Sequence, residues 1–173
     1  MNIAYTIADG RGETDLLLYN VAQQLKVRGF KTAGTVQINT GRAKSGHCDM
    51  DVQVLPNGQI IRISQDLGEG AKGCRLNPEA LETAVGLVEA QLADGADILI
   101  VNKFGKHEAE GRGFRNAIAL AVSLDCPVLV GTNSLNRDAL CEFTDGAAKW
   151  LPASDQLIID WLEQHFCATA LAS

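Results

Sequence analysis

Apolar positions along this chain alternate between short buried runs and helical stripes. Residues 3–8 form a nearly continuous apolar run and read as a buried strand. Over residues 15–28, Leu18, Val21, Ala22 and Leu25 recur at helical spacing, and Gly29 supplies a stop. "FKTAGTVQI" reads as a second strand, with Val36 and Ile38 alternating around Gln37. In "CDMDVQVLPNGQIIRISQ", apolar and polar residues alternate on both sides of Pro56-Asn57-Gly58, which predicts a hairpin. "GEGAKGCRL" follows as a loop. Asn77 can then cap a helix with Pro78 at its first position, striped by Leu81, Val85, Val88 and Leu92 and ended by Gly95. "ADILIVNKFG" and "CPVLVGT" have the apolar character of central parallel strands. Helices are predicted over residues 113–124, 135–143 and 155–166. Strands alternating with helices predict an α/β fold, with a mainly parallel central sheet and an inserted β-hairpin. No repeat, low-complexity segment or linker divides the chain, so residues 1–173 are expected to form a single domain.

Composition narrows the class. With 46% apolar and 21% charged residues, the 173-residue chain reads as soluble and globular, with length enough for a sizeable core. No apolar run is long enough to cross a bilayer, so membrane insertion is not expected. The start "MNIAYTIADG" lacks the basic stretch and apolar run of a signal peptide, and a cytoplasmic location is the expectation. Five cysteines without a C-x-x-C suggest reduced thiols rather than a disulfide framework or zinc ribbon. A net charge of −6 argues against a nucleic-acid partner.

The chemistry concentrates in "YTIADGRGETDLLLYNVAQQL", a strand, a glycine-rich loop and a helix. That is how a phosphate cradle is built, with the pattern G-x-x-x-x-G-K-[ST]. In this register Gly12 and Thr14 match, but Ile7 stands at the first glycine and Glu13 at the lysine. Unpaired N–H groups at a helix N-terminus and the helix dipole favour an anion. Asp9, Glu13 and Asp15 oppose it. A carboxylate about 4 Å from a phosphate charge costs about 4 kcal/mol at a surface-like dielectric, where lysine would gain about as much. Ordinary ATP binding is then lost unless Glu13 points away. The competing reading is an acidic first turn that only stabilises its own helix.

A matching departure lies downstream. In P-loop enzymes a strand ends in an acid that holds magnesium. Here the corresponding strand ends in Asn102-Lys103.

The order of these motifs resembles that of the THEP-one-type nucleoside-triphosphatases, a small P-loop family. Their loop G-x-P-G-x-G-K-T is similar to Ile7 through Thr14, matching at Gly10, Gly12 and Thr14. Their D-E-I-G-K-M-E-L segment is similar to "NKFGKHEA", matching at Gly105, Lys106 and Glu108 and departing at Asn102 and Lys103. Still closer is the resemblance to an uncharacterised bacterial domain-of-unknown-function family within the P-loop superfamily. It is carried by "CDMDVQ", "RISQDLGEGAKGCRLNPEAL" and "VNKFGKHEAEGRGFR". The resemblance implies a P-loop NTPase-like three-layer fold. It also implies an association with molybdenum, although this chain has no recognisable ABC signature.

"NKFGKHEAEGRGF" gathers Lys103, Lys106, Arg112 and Arg115 near the C-terminal end of a central strand, where open α/β sheets bind ligands. A tetrahedral oxyanion would suit backbone N–H groups plus such cations. The alternative is a solvated turn paired through Glu108 and Glu110. Cys48, Asp49, Asp51 and Cys74, beside His47, mix soft and hard ligands but match no known metal spacing, and no metal site is assigned. "RISQDLGEGAKGC" could cover the strand-end crevice or merely connect. His107 reads as a candidate acid or base or as merely a surface histidine, and no Ser or Cys partner can be assigned to it.

The candidate ligand-binding residues are therefore Gly10, Arg11, Gly12, Glu13, Thr14 and Asp15 of the loop, with Asn102, Lys103, Lys106, Glu108 and Arg112 beside them. No catalytic residue is assigned. The favoured reading is a degenerate, noncatalytic P-loop-like protein that binds a small anion, either a nucleotide with magnesium or an oxyanion such as molybdate. A role in molybdenum metabolism comes from the resemblance alone. The alternative is an active nucleoside-triphosphatase in which Lys103 or Lys106 replaces the loop lysine and Glu13 or Glu108 positions magnesium or water. A protein-interaction module is the third reading, and a homo-oligomer or a protein partner stays open.

Overall fold

A computed structural model describes residues 2–41, 48–65 and 76–172. Among the described residues seven strands form one sheet in the order β4-β3-β2-β5-β6-β1-β7. They are β1 (Ile3–Thr6), β2 (Thr32–Gly41), β3 (Cys48–Val54), β4 (Ile60–Arg62), β5 (Ile98–Val101), β6 (Val128–Gly131) and β7 (Lys149–Leu151). The pairings β2 with β5, β5 with β6, β6 with β1 and β1 with β7 are all parallel. Those of β2 with β3 and β3 with β4 are antiparallel.

Alternation along the central strands sends side chains to two cores, as a sheet covered on both faces requires. Ala4, Ile98, Ile100 and Leu129 face helices α1 (Glu13–Val27) and α6 (Asp155–Ala172). Leu18, Val21, Ala22 and Leu25 of α1 are all buried there, so the predicted stripe is the packed one. Ile3, Leu99, Val101, Val128 and Val130 face the other way, toward α2 (Pro78–Ala93) and α4 (Arg115–Ser123). Leu81, Val85, Val88 and Leu92 supply the α2 side. Each fully buried Leu or Ile contributes about 1.5–3 kcal/mol of transfer free energy. The Asn77 side chain caps α2 by accepting the Ala80 N–H at 3.2 Å, with Pro78 opening the helix. Two shorter helices, α3 (Lys106–Ala109) and α5 (Arg137–Phe143), follow β5 and β6.

The expected three layers and inserted hairpin are present, with differences at the edges. α1 begins at Glu13 rather than Asp15, because the left-handed Gly12 directly precedes it. β2 runs past Ile38 to Gly41 and zips antiparallel onto β3, so the hairpin is one part of a three-stranded extension. α3 and β7 were not predicted. One is a single helical turn, and the other is a three-residue edge strand whose Lys149 and Trp150 stay exposed.

Candidate functional site

The parallel strands β1, β5 and β6 deliver their C-terminal ends to one edge of the sheet, and the glycine loop crosses it. Gly10 has φ 100° and Gly12 φ 83°, left-handed values that few other residues adopt. These turns reverse the chain so that α1 starts directly over the edge. Gly12 offers no side-chain cap, and the first intrahelical bond runs from the Leu16 N–H to the Gly12 carbonyl at 3.0 Å. The amides of Glu13, Thr14 and Asp15 thus lie ahead of any helical acceptor. The Thr14 hydroxyl is used within the loop, accepting the Ala8 N–H at 3.0 Å.

A cavity of about 240 Å³ opens over this turn. Its loop side is lined by Gly10, Arg11, Gly12, Thr14 and Asp15. Its sheet side is lined by Asn102, Lys103, Thr132 and Asn133. Glu13 is exposed and does not line it; its Cγ lies where a Cβ on Gly10 would come within 3.0 Å. The carboxylate that most opposed anion binding therefore stands outside. Lys103 is exposed at the cavity wall, and among the described residues it makes no ion pair.

Asn102, only 4% exposed, holds the two sides together. Its Oδ1 accepts the Gln37 N–H at 2.8 Å, and its Nδ2 donates to Asp15 Oδ1 at 2.9 Å. The uncharged strand end thus locks a carboxylate borne by α1. Gly131 makes this closeness possible: a Cβ there would lie 2.3 Å from the Asn102 carbonyl oxygen and 3.0 Å from Thr14 Cγ2.

The remaining candidates lie along residues 104–115, and most are engaged in holding that segment. Glu108 is buried, with Oε2 accepting the Gly105 N–H at 2.9 Å and Oε1 the Phe114 N–H at 3.4 Å. Lys106 pairs with Glu110 at 3.6 Å, and Arg112 pairs with the same carboxylate. The hydrogen bond from Arg112, aided by the charge of Lys106, holds the Glu110 carboxyl below its ordinary range. Arg115 lines neither cavity. It donates to the Glu108 carbonyl at 3.4 Å and stacks 4.2 Å over the Phe143 ring. His107 is not a surface histidine: α3 turns its ring inward, where Nε2 lies 3.2 Å from Glu82 Oε1.

Lys106, Glu108 and Arg112 line a second cavity of about 640 Å³, toward the antiparallel extension. Asn102, Lys103 and Asn133 border both spaces. Asp51 is paired with Arg62 across β3 and β4 at 2.9 Å and sits on the strand face opposite Met50 and Val52. His47 and Cys74, and the "DLGEGAKGCR" part of the loop, fall outside the described residues. No cluster of three or more metal-binding side chains occurs among the described residues. No described helix is long and apolar enough to cross a membrane.

Sequence reasoning did not single out Thr132, Asn133 or Gln37. The signal for the first two was a polar pair directly after the apolar run of β6. Gln37 enters through its backbone N–H, which no side-chain pattern reveals.

A family model described as "Protein of unknown function (DUF2478)" matches residues 3–161. A human cancer-related nucleoside triphosphatase has a similar structure, with a TM-score of 0.62 and 17% identity over 100% of both chains. THEP1 from the hyperthermophile Aquifex aeolicus is similar at a TM-score of 0.64 and 15% identity, over 95% of this chain and 96% of that one. At such identities the likeness concerns the fold, which is that of P-loop NTPases. The molybdenum import ATP-binding protein ModC 2 of Bradyrhizobium diazoefficiens is 34% identical over 149 residues, covering 86% of this chain but 17% of that protein's length.

Proposed function

The chain belongs to the DUF2478 family, and from that premise we propose that it binds a small anion on the loop before α1 and does not hydrolyse triphosphates efficiently. The anion is a tetrahedral oxyanion or the terminal group of a nucleotide. One observation carries this reading: Gly10, Gly12 and Thr14, at the N-terminus of α1, line a cavity whose wall holds the exposed Lys103 and excludes Glu13. Beside Arg11 of the loop, the neighbouring strand end supplies Lys103 in place of the lysine that Glu13 replaces.

The donor set does not suit the magnesium that P-loop hydrolysis employs. Thr14 Oγ1 takes a backbone N–H, Asn102 brings an amide in place of a carboxylate, and Asp15 is held by that amide. No hydrolytic step through magnesium follows from these residues. The molybdenum association rests on the name of the partial relative, and molybdate is accordingly the first oxyanion to try.

Lys103 also favours a second reading, a nucleoside-triphosphatase with a relocated cation. Calorimetric titration with orthophosphate, molybdate and ATP, paired with a phosphate-release assay, separates the two. The expected result is saturable binding, weakened about tenfold in Lys103→Ala, without turnover. Hydrolysis abolished by Lys103→Ala would establish the second reading instead.

A further inference from the structure

We propose that the larger cavity is a second binding site, for a small organic molecule with a flat apolar body and one anionic group directed at Lys103. Its volume of about 640 Å³ lies within the range of small-molecule sites. The body of the ligand would lie against Met50 and Val52 of β3, Ile63 beyond β4, Leu81 of α2 and Phe114. Of these, Val52, Ile63, Leu81 and Phe114 are themselves anchored in the apolar cores, so the floor is preformed. Asn133 and Asn136, joined by the Asn136 Nδ2 to Asn133 Oδ1 bond at 2.9 Å, line the same space and give it a neutral polar edge.

The charges decide which ligand fits. Lys106 and Arg112 share the single carboxylate of Glu110, and the Glu108 carboxylate is held by the Gly105 and Phe114 amides, so the lining's cations Lys103, Lys106 and Arg112 exceed its carboxylates Glu108 and Glu110 by one charge. His107 is turned onto Glu82. Lys103 is the cation in the lining that has no ion pair among the described residues. One uncompensated cation beside an apolar floor calls for one anionic group on an apolar body. Because Lys103 also borders the loop cavity, the two ligands would meet across it. Apart from Asn102, Lys103 and Asn133, which border both cavities, the second site stands on residues that do not line the loop cavity.

Anilinonaphthalene sulfonate has the required chemistry, an aromatic body with one sulfonate, and its fluorescence reports burial. Titrated into the full chain, it should bind saturably at one site while circular dichroism stays native. Met50→Trp, which fills the floor, should weaken it at least about tenfold. Lys103→Ala should weaken it several-fold yet leave the uncharged analogue phenylnaphthylamine unaffected. If Met50→Trp does not fold, Asn136→Trp narrows the rim and is held to the same criterion. Unsaturable binding, or binding unchanged in a folded filling variant, would overturn the second site. Loss of phosphate binding with the dye still bound would remove only the loop reading.

Discussion

Two glycine-bearing, charge-rich segments sit at the same edge of the sheet, and they use their backbones in opposite ways. In residues 105–114 amide donors are taken by carboxylates: Glu108 within the segment takes those of Gly105 and Phe114, and Glu82 of α2 takes that of Gly113 at 3.1 Å. Carboxylates there act as staples. In residues 10–15 Glu13 lies outside the cavity and Asp15 Oδ1 accepts from Asn102, and on the proposed reading the loop and Thr14 amides receive the ligand. Similar composition thus yields a clamp in one place and, in the proposed function, a cradle in the other. What differs is whether an acid lies within reach of a buried N–H.

Substitutions in the clamp should have the largest effects. Glu108→Ala strands two buried donors and should cost about 2–4 kcal/mol, read from denaturant unfolding. Glu108→Gln, which keeps an acceptor, should cost roughly half as much. Gly113→Ala comes next. Its φ is 61° and the new Cβ would stand 2.3 Å from Glu108 Oε1, so a loss of about 1–3 kcal/mol is expected. If either substitution abolished anion binding while leaving stability intact, the clamp would have to be redrawn as part of the site.

Cradle substitutions should do the reverse. Lys103→Ala should leave the urea midpoint in place and weaken phosphate about tenfold. The smallest effect belongs to Glu13→Lys. Because Glu13 stands outside the cavity, phosphate affinity should rise only about two- to fivefold at low salt, and the gain should fade by 0.3 M salt, where the Debye length is about 5–6 Å. A hundredfold gain would place residue 13 in the cradle after all.

Much of this was legible in the chain itself. The stripe of α1, the Asn77-Pro78 cap and the apolar runs of β5 and β6 each follow from local chemistry, and each stands where its pattern puts it. The loop was legible from Gly10, Gly12 and Thr14. The orientation of its charges was not, because side-chain direction depends on contacts between distant segments. Glu108 reads equally well as a ligand or as a staple until Gly105 and Phe114 are folded around it. The inward turn of His107 depends on Glu82, 25 residues earlier in the chain. The bond between Asn102 and Asp15 joins positions 87 residues apart, and no spacing rule connects them.

Nitrogen-15 resolved amide shifts, followed while orthophosphate is titrated into the full chain, test the contrast most directly. The expected result is saturable movement of the Gly10, Gly12, Glu13 and Thr14 amides, with Gly105, Gly113 and Phe114 unmoved. Shifts confined to residues 105–114, with the loop silent, would contradict it.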